Sequence, residues 1–166
     1  DVPITAGGDF SKQKASKKTA DSTIVGDVVQ SYLQHAFGKR GITFAVNVAE
    51  ATKISIAFNA HGIKAEVVHA KTESGLRDNI IERFEIGELK QLVNVDLFGE
   101  GFDVPEVEVV SMARGTASFS LFCQQFGRGL RPVYAEGWPI DTVEQRLAAI
   151  ANGPKPKAII IDHVGN

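Results

Sequence analysis

The chain has 166 residues, of which 43% are hydrophobic and 23% are charged, a composition typical of a globular domain with a substantial core. Its formal net charge of −2 excludes a broadly basic surface, so any contact with a polyanion has to be local. The single cysteine, Cys123, excludes an internal disulfide and favours a reducing, cytoplasmic compartment. We expect no membrane span, because no apolar run approaches about 18 residues.

The first part of the chain differs in composition from the rest. Residues 1–23 are rich in Lys, Ser, Thr, Asp and Gly and contain few apolar side chains, which predicts a flexible lead-in or linker. Apolar residues then recur with helical spacing from Ile24 to Phe37, and Gly38 is a suitable helix C-cap. We therefore predict one domain over residues 24–166.

Strands and helices alternate from residue 41 onward. Continuously apolar strands that alternate with helices predict an α/β fold, in which helices cover both faces of an open, mainly parallel sheet. Ligands of such sheets bind at the loops beyond the carboxyl ends of the strands. The predicted strands are 42–47, 65–70, 90–96, 107–113 and 158–164, the predicted helices are 49–62, 74–87 and 118–131, and a loop-helix insertion at 133–157 has its helix at 142–151.

The stretch QQFGRGLRP, residues 124–132, is difficult to explain by packing alone. Gln124, Arg128 and Arg131 recur at four and three, so on a continuous helix Arg131 returns to within about 20° of Gln124 and the three side chains share one stripe. Gly127 and Gly129 would each cost roughly 1 kcal/mol in a helix interior. Close approach of a phosphate is one reason to retain them, since arginine binds phosphate in a planar, bidentate manner. A solvated helix with surface ion pairs is the alternative.

A second polar cluster follows a predicted buried strand. In LFGEGFDVP, residues 97–105, Gly99 and Gly101 allow backbone N–H groups to approach a ligand. Asp103 offers a carboxylate to sugar hydroxyls or to neighbouring arginines. A tight turn capped by Asp103 explains the segment equally well.

The order of these segments resembles the second, C-terminal RecA-like domain of superfamily 2 helicases and translocases. VNVDLFGEGFDVP (93–105) is similar to motif V of that family, and QQFGRGLRP (124–132) is similar to motif VI. ITFAVNVAEA (42–51) resembles motif IV, and residues 68–94 resemble the block that follows it. The resemblance covers about residues 24–132, with a final matching strand at 158–166. It implies a three-layer RecA-like fold.

The resemblance also implies a role for each candidate residue. Arg128 and Arg131 match the arginine fingers that reach the γ-phosphate of ATP bound by the preceding domain, and Gln124 matches a residue that organises the same site. Gly101 and Asp103 match motif V residues that couple nucleotide to nucleic acid. Asn47, Gly99 and His69 resemble positions near the bound strand, although a buried structural role suits His69 as well.

Departures from the family pattern indicate a branch. DEAD-box proteins usually carry threonine, arginine and arginine where this chain has Val95, Glu100 and Gln125. The EGFDVP and QQxGRxLRP forms look closer to the restriction, repair and phage-type branch, which mostly acts on DNA. The resemblance therefore implies a nucleic-acid partner, with DNA favoured over RNA.

Several chemical signatures are missing from the sequence. It contains no GxxxxGK[ST] phosphate loop and no DExH or DEAD tetrapeptide after a strand, and its histidines and Cys123 have no metal-ligand spacing. We therefore expect ATP and Mg²⁺ to be held mainly by an N-terminal RecA-like domain encoded upstream of residue 1. The 166-residue chain alone is expected not to hydrolyse ATP.

The leading hypothesis is thus the C-terminal motor domain of an ATP-dependent DNA helicase or translocase. One alternative is a standalone α/β module that binds a nucleotide or sugar nucleotide at the GEGFD loop. Another is a catalytically silent interaction domain that retains the fold.

Overall fold

Five parallel strands form one sheet in the part of the chain that the structure describes. The structure is a computed structural model, and it describes residues 23–95, 106–115, 127 and 129–165. The strands lie in the order β2-β3-β1-β4-β5, so the first strand of the chain is central. They are β1 Gly41–Phe44, β2 Ala65–His69, β3 Gln91–Val95, β4 Val109–Met112 and β5 Ile159–Asp162.

Helices connect these strands and cover both faces of the sheet. Successive strand residues point to opposite faces, and Leu92 and Val93 accordingly belong to different apolar clusters. Helices α1 and α2 pack on the Val93 face, and α3 packs on the Leu92 face. The sheet is therefore buried between helices, which confirms the predicted three-layer α/β fold. The described helices are α1 Thr23–His35, α2 Val48–Ala60, α3 Ser74–Glu85 and α4 Val143–Ala151.

Aromatic packing joins the first two helices. The rings of Tyr32 in α1 and Phe58 in α2 meet edge to face with their centroids 5.4 Å apart, and both side chains are almost completely buried. The Tyr32 hydroxyl donates to the carbonyl of Lys39 at 2.8 Å, which satisfies the polar end of this core residue. This contact fixes α1 beside α2 on one face of the sheet.

The predicted boundaries hold within a few residues where local signals exist. Gly38 has a φ of +82°, a left-handed conformation, and lies in the turn that follows α1. Thr142 and Gln145 form the predicted capping box at the start of α4. These helix boundaries could therefore be predicted from residues that are close along the chain.

The predicted helix over residues 118–131 is wrong at its end. Residues 116–126 and 128 lie outside the described part, but Gly127 is helical while Gly129 and Leu130 form a turn. The Leu130 N–H donates to the Gly127 carbonyl at 3.1 Å, a tighter bond than an α-helix makes. Arg131 lies beyond this turn, so the helix does not extend to it as predicted.

Within the described ranges, no helix combines the length and apolar character needed to cross a bilayer.

Candidate functional site

Asn47 lies at the carboxyl edge of the sheet, between β1 and α2. Its side-chain Oδ1 accepts a hydrogen bond from the Glu50 N–H at 2.9 Å, and its backbone is extended, so it is the N-cap of α2. The side chain is half-buried. This cap directs the amino end of α2, with its positive dipole, toward the edge where the resemblance expects nucleic acid.

His69 is the last residue of β2 and lies at the same edge. Its ring Nδ1 accepts a hydrogen bond from the backbone N–H of Lys71 at 3.2 Å. The backbone N–H of His69 donates to the Thr72 hydroxyl at 3.0 Å. Because Nδ1 is an acceptor, the neutral ring carries its proton on Nε2. A half-buried ring with an Nε2–H donor is able to contact a phosphate or a base.

Strand order separates these two residues. β3 lies between β2 and β1, and adjacent strands are about 4.8 Å apart, so Asn47 and His69 are separated by roughly 10 Å across the sheet. They therefore lie along one edge and do not form one compact pocket.

A buried arginine at this edge was not among the candidate residues. Arg114 follows β4 and is only 5% exposed, and burial lowers the pKa of its guanidinium. Its position directly after a buried strand was the available sequence signal, because the carboxyl ends of parallel strands form one edge.

Arg131 lies in a different region from Asn47 and His69. Its side chain is exposed, while its carbonyl accepts a hydrogen bond from Lys155 Nζ at 2.8 Å. Lys155 precedes β5, and it interacts electrostatically with Glu106 and Glu108, which precede β4. These neighbours place the Arg131 main chain at the amino edge of the sheet, contrary to the expectation of a carboxyl-edge site.

Glu108 organises the charges at this amino edge. Its carboxylate Oε1 lies 2.6 Å from Lys39 Nζ, and its Oε2 accepts from the Arg40 N–H at 3.3 Å. The backbone of Glu108 also accepts from the Ile159 N–H at 2.8 Å, which ties β5 to β4. The surroundings of Lys155 and Arg131 are therefore anchored to the sheet itself.

Five predicted site residues fall outside the described part of the chain, so their roles remain predictions. They are Gly99, Gly101, Asp103, Gln124 and Arg128.

Comparison with known proteins decides the family. The model of the helicase conserved C-terminal domain matches residues 25–133, more than half of the chain and all of the motifs quoted above. The chain belongs to this family. The fold agrees with this family, since the chain overlays the Escherichia coli DEAD-box protein SrmB with a TM-score of 0.61. The two are 18% identical, and the overlay covers 84% of this chain and 68% of that chain.

Two relatives are similar to this chain over most of its length. The 51.5 kDa protein of Lactococcus phage (isolate 7-9) is 43% identical over 124 residues, which cover 75% of this chain and 27% of that protein. The protein named "Putative ATP-dependent helicase IRC3" of Saccharomyces cerevisiae is 34% identical over 134 residues, which cover 79% of this chain and 19% of that protein. The chain thus spans about a quarter of the first relative and a fifth of the second.

The family match does not extend over the whole of this helicase C-terminal domain. It ends at Val133, two residues after Arg131, so helix α4 and Lys155 lie beyond it. The contact between Lys155 and Arg131 is therefore known from the structure alone. A standalone nucleotide-binding module is not favoured, because the match spans all of the quoted motifs in one family model.

Proposed function

We propose that this chain is the C-terminal motor domain of an ATP-dependent helicase or translocase that acts on DNA. In this proposal a preceding RecA-like domain of the same full-length protein binds ATP and Mg²⁺. The helicase C-terminal domain then supplies arginine side chains to the nucleotide across the cleft between the two domains. Family membership and the similarity to the yeast relative support an ATP-driven activity.

Arg131 is the observation on which the proposal rests. Its side chain is exposed, whereas its main chain is bound to the buried Lys155. An exposed guanidinium on an anchored main chain is suited to a phosphate that another domain presents, because little conformational freedom is lost on contact. Bound ATP would supply the phosphoryl group, and Arg131 would stabilise the charge that develops on its oxygens.

The remaining nucleotide contacts are proposed from the sequence motifs. Arg128 would act as the second arginine, Gln124 would organise the site, and Gly101 and Asp103 would link it to the nucleic-acid contacts.

We propose that the carboxyl edge of the sheet contacts the nucleic acid. The capped amino end of α2 at Asn47 and the Nε2–H of His69 both offer positive or donor groups there. The motif V glycine Gly99 would join them. Nucleotide and nucleic acid would then occupy opposite edges of one sheet, so the rigid parallel sheet would transmit the coupling between them.

DNA is proposed over RNA for two reasons. The EGFDVP and QQxGRxLRP motifs have the form of the restriction, repair and phage-type branch. The relative at 43% identity is itself a phage protein, which supports the phage-type form of these motifs.

Replacement of Arg131 by alanine in the full-length protein tests the proposal. We expect the nucleic-acid-stimulated ATPase kcat to fall about 10³–10⁵-fold, because an arginine finger stabilises the transition state by that amount. Steady-state phosphate release measures the effect. Arg146→Ala is the control, since Arg146 lies in α4 beyond the family match and donates to the carbonyls of Ile140 and Asp141.

The Arg146→Ala protein should keep a kcat close to that of the unmodified protein. An Arg131→Ala protein that folds and retains full stimulated ATPase would contradict the proposed function.

A further inference from the structure

Lys155 is a buried lysine on the short segment between α4 and β5. It is only 5% exposed, although lysine is among the residues least often buried. Its Nζ donates to the Arg131 carbonyl at 2.8 Å, across 24 positions of the chain. Burial of an ammonium group is costly unless nearby groups compensate its charge. The contacts of Lys155 therefore indicate what the buried side chain does.

Charges around Lys155 partly supply that compensation. Burial has the largest effect and lowers the pKa of Lys155, whereas the carboxylates of Glu108 and Glu106 raise it. The positive charge of Arg131 lowers it further. Lys155 thus connects the acidic start of β4 with the main chain at Arg131.

A second contact holds the chain just after Arg131. The Ala135 N–H donates to the Ala149 carbonyl of α4 at 2.8 Å. At Gly153, an added Cβ would lie 2.7 Å from the Val133 carbonyl oxygen and 3.1 Å from the Ala135 nitrogen. The end of α4 therefore packs backbone to backbone against residues 133–135, and it leaves room for glycine only.

These contacts fix the segment from Arg131 to Ala135 from one side. Lys155 holds the carbonyl of Arg131, Ala149 accepts from the Ala135 N–H, and Gly153 packs against the backbone of Val133 and Ala135. An arginine that reaches across a cleft gains from such anchoring, because a displacement of about 1 Å at a catalytic group can reduce a rate 10²-fold.

We propose that Lys155 is a positioning residue that sets the direction of the Arg131 guanidinium. This proposal rests on the proposed function, in which Arg131 contacts the nucleotide. Lys155 itself touches no substrate in this scheme, and it acts through the Arg131 main chain.

The first experiment compares Lys155→Met and Lys155→Arg in the full-length protein. Methionine keeps the length and apolar stem but removes the donor, so the stimulated ATPase kcat should fall about 10–100-fold with a smaller change in KM for ATP. Arginine retains a donor and should restore most of the kcat. Lys157→Met is the control, because Lys157 is an exposed lysine two residues away.

The second experiment separates positioning from general stability. In the Arg131→Ala background, Lys155→Met should reduce kcat by less than about 2-fold, since Lys155 acts through a side chain that is already absent. A full 10–100-fold further loss in that background would show an independent role and overturn the proposal. Thermal unfolding of each variant shows whether it is folded at the assay temperature.

The outcomes also distinguish this proposal from the proposed function. If Arg131→Ala lowers the ATPase kcat as expected and a folded Lys155→Met protein keeps a normal kcat, the positioning role is wrong and the motor function stands. If Arg131→Ala keeps its ATPase, the proposed function fails. If Lys155→Met does not fold, Gly153→Ala replaces it, because the added Cβ displaces the same segment. Its loss of kcat should likewise be seen only when the Arg131 side chain is present. A normal kcat in folded Gly153→Ala overturns the positioning role.

Discussion

At the scale of single residues, hydrogen-bond partners refine what each candidate side chain does. Asn47 is a helix cap as well as an edge residue, because its Oδ1 binds the Glu50 N–H. The Nδ1 of His69 accepts from the Lys71 N–H, which leaves Nε2 as the other ring nitrogen for further contacts. The sequence identified both positions, but only the contacts show how each side chain is held.

His163 gives a residue-scale prediction about pH. Its Nε2 is buried and has no hydrogen-bond partner among the described residues, and burial lowers its pKa below the ordinary 6.5 despite the opposing charges of Asp27 and Asp162. The unfolded chain therefore binds a proton more readily than the folded chain. Stability should be lost as the pH falls below about 6.5, and the full penalty is present below the folded pKa.

Thermal unfolding of the purified chain between pH 7.5 and 5 measures this effect. His163→Gln should reduce the decrease in melting temperature over that range, because glutamine does not titrate there. Identical pH profiles for both proteins would show that His163 does not contribute.

At the scale of elements, capping chemistry decides where helices begin. Thr142 Oγ1 accepts from the Gln145 N–H at 3.2 Å, and Gln145 Oε1 accepts from the Thr142 N–H at 3.1 Å. These bonds are local in sequence, which is why the start of α4 was predictable. The end of the helix predicted over residues 118–131 was not predictable in this way, because a turn at Gly129 and Leu130 ends it before Arg131.

Removal of this cap tests the stability of α4. Thr142→Ala should reduce the free energy of unfolding by about 1 kcal/mol, because one helix N–H loses its acceptor. Urea denaturation of the purified chain measures the change. Thr52→Ala is the matched control, since the Thr52 hydroxyl bonds the Val48 carbonyl inside α2 and alanine favours a helix interior. Equal losses in both variants would argue against a specific role for the capping box.

At the scale of the whole molecule, the sheet separates two groups of candidate residues. Asn47 and His69 lie at its carboxyl edge, and the Arg131 main chain lies at its amino edge. A four-residue strand such as β4 is roughly 13 Å long, so the two groups do not share one site. In the proposed motor, one edge faces the nucleotide and the other faces the nucleic acid.

The proposed function predicts that the 166-residue chain needs a second domain to hydrolyse ATP. The purified chain should show no ATPase above background with either DNA or RNA, because no phosphate-loop motif is present in its sequence. The full-length protein should hydrolyse ATP, with DNA stimulating it more than RNA does. ATPase activity of the purified chain, or stronger stimulation by RNA, would contradict the corresponding part of the proposal.

The sequence by itself determined the order of strands and helices, the capping box and the family motifs. These features depend on residues that are close along the chain, so periodicity and side-chain chemistry are enough to find them. Only the tertiary structure decided which sheet edge Arg131 occupies and that Lys155 is buried against its carbonyl. That contact joins residues 24 positions apart in surroundings set by Glu106 and Glu108, and only packing brings such groups together.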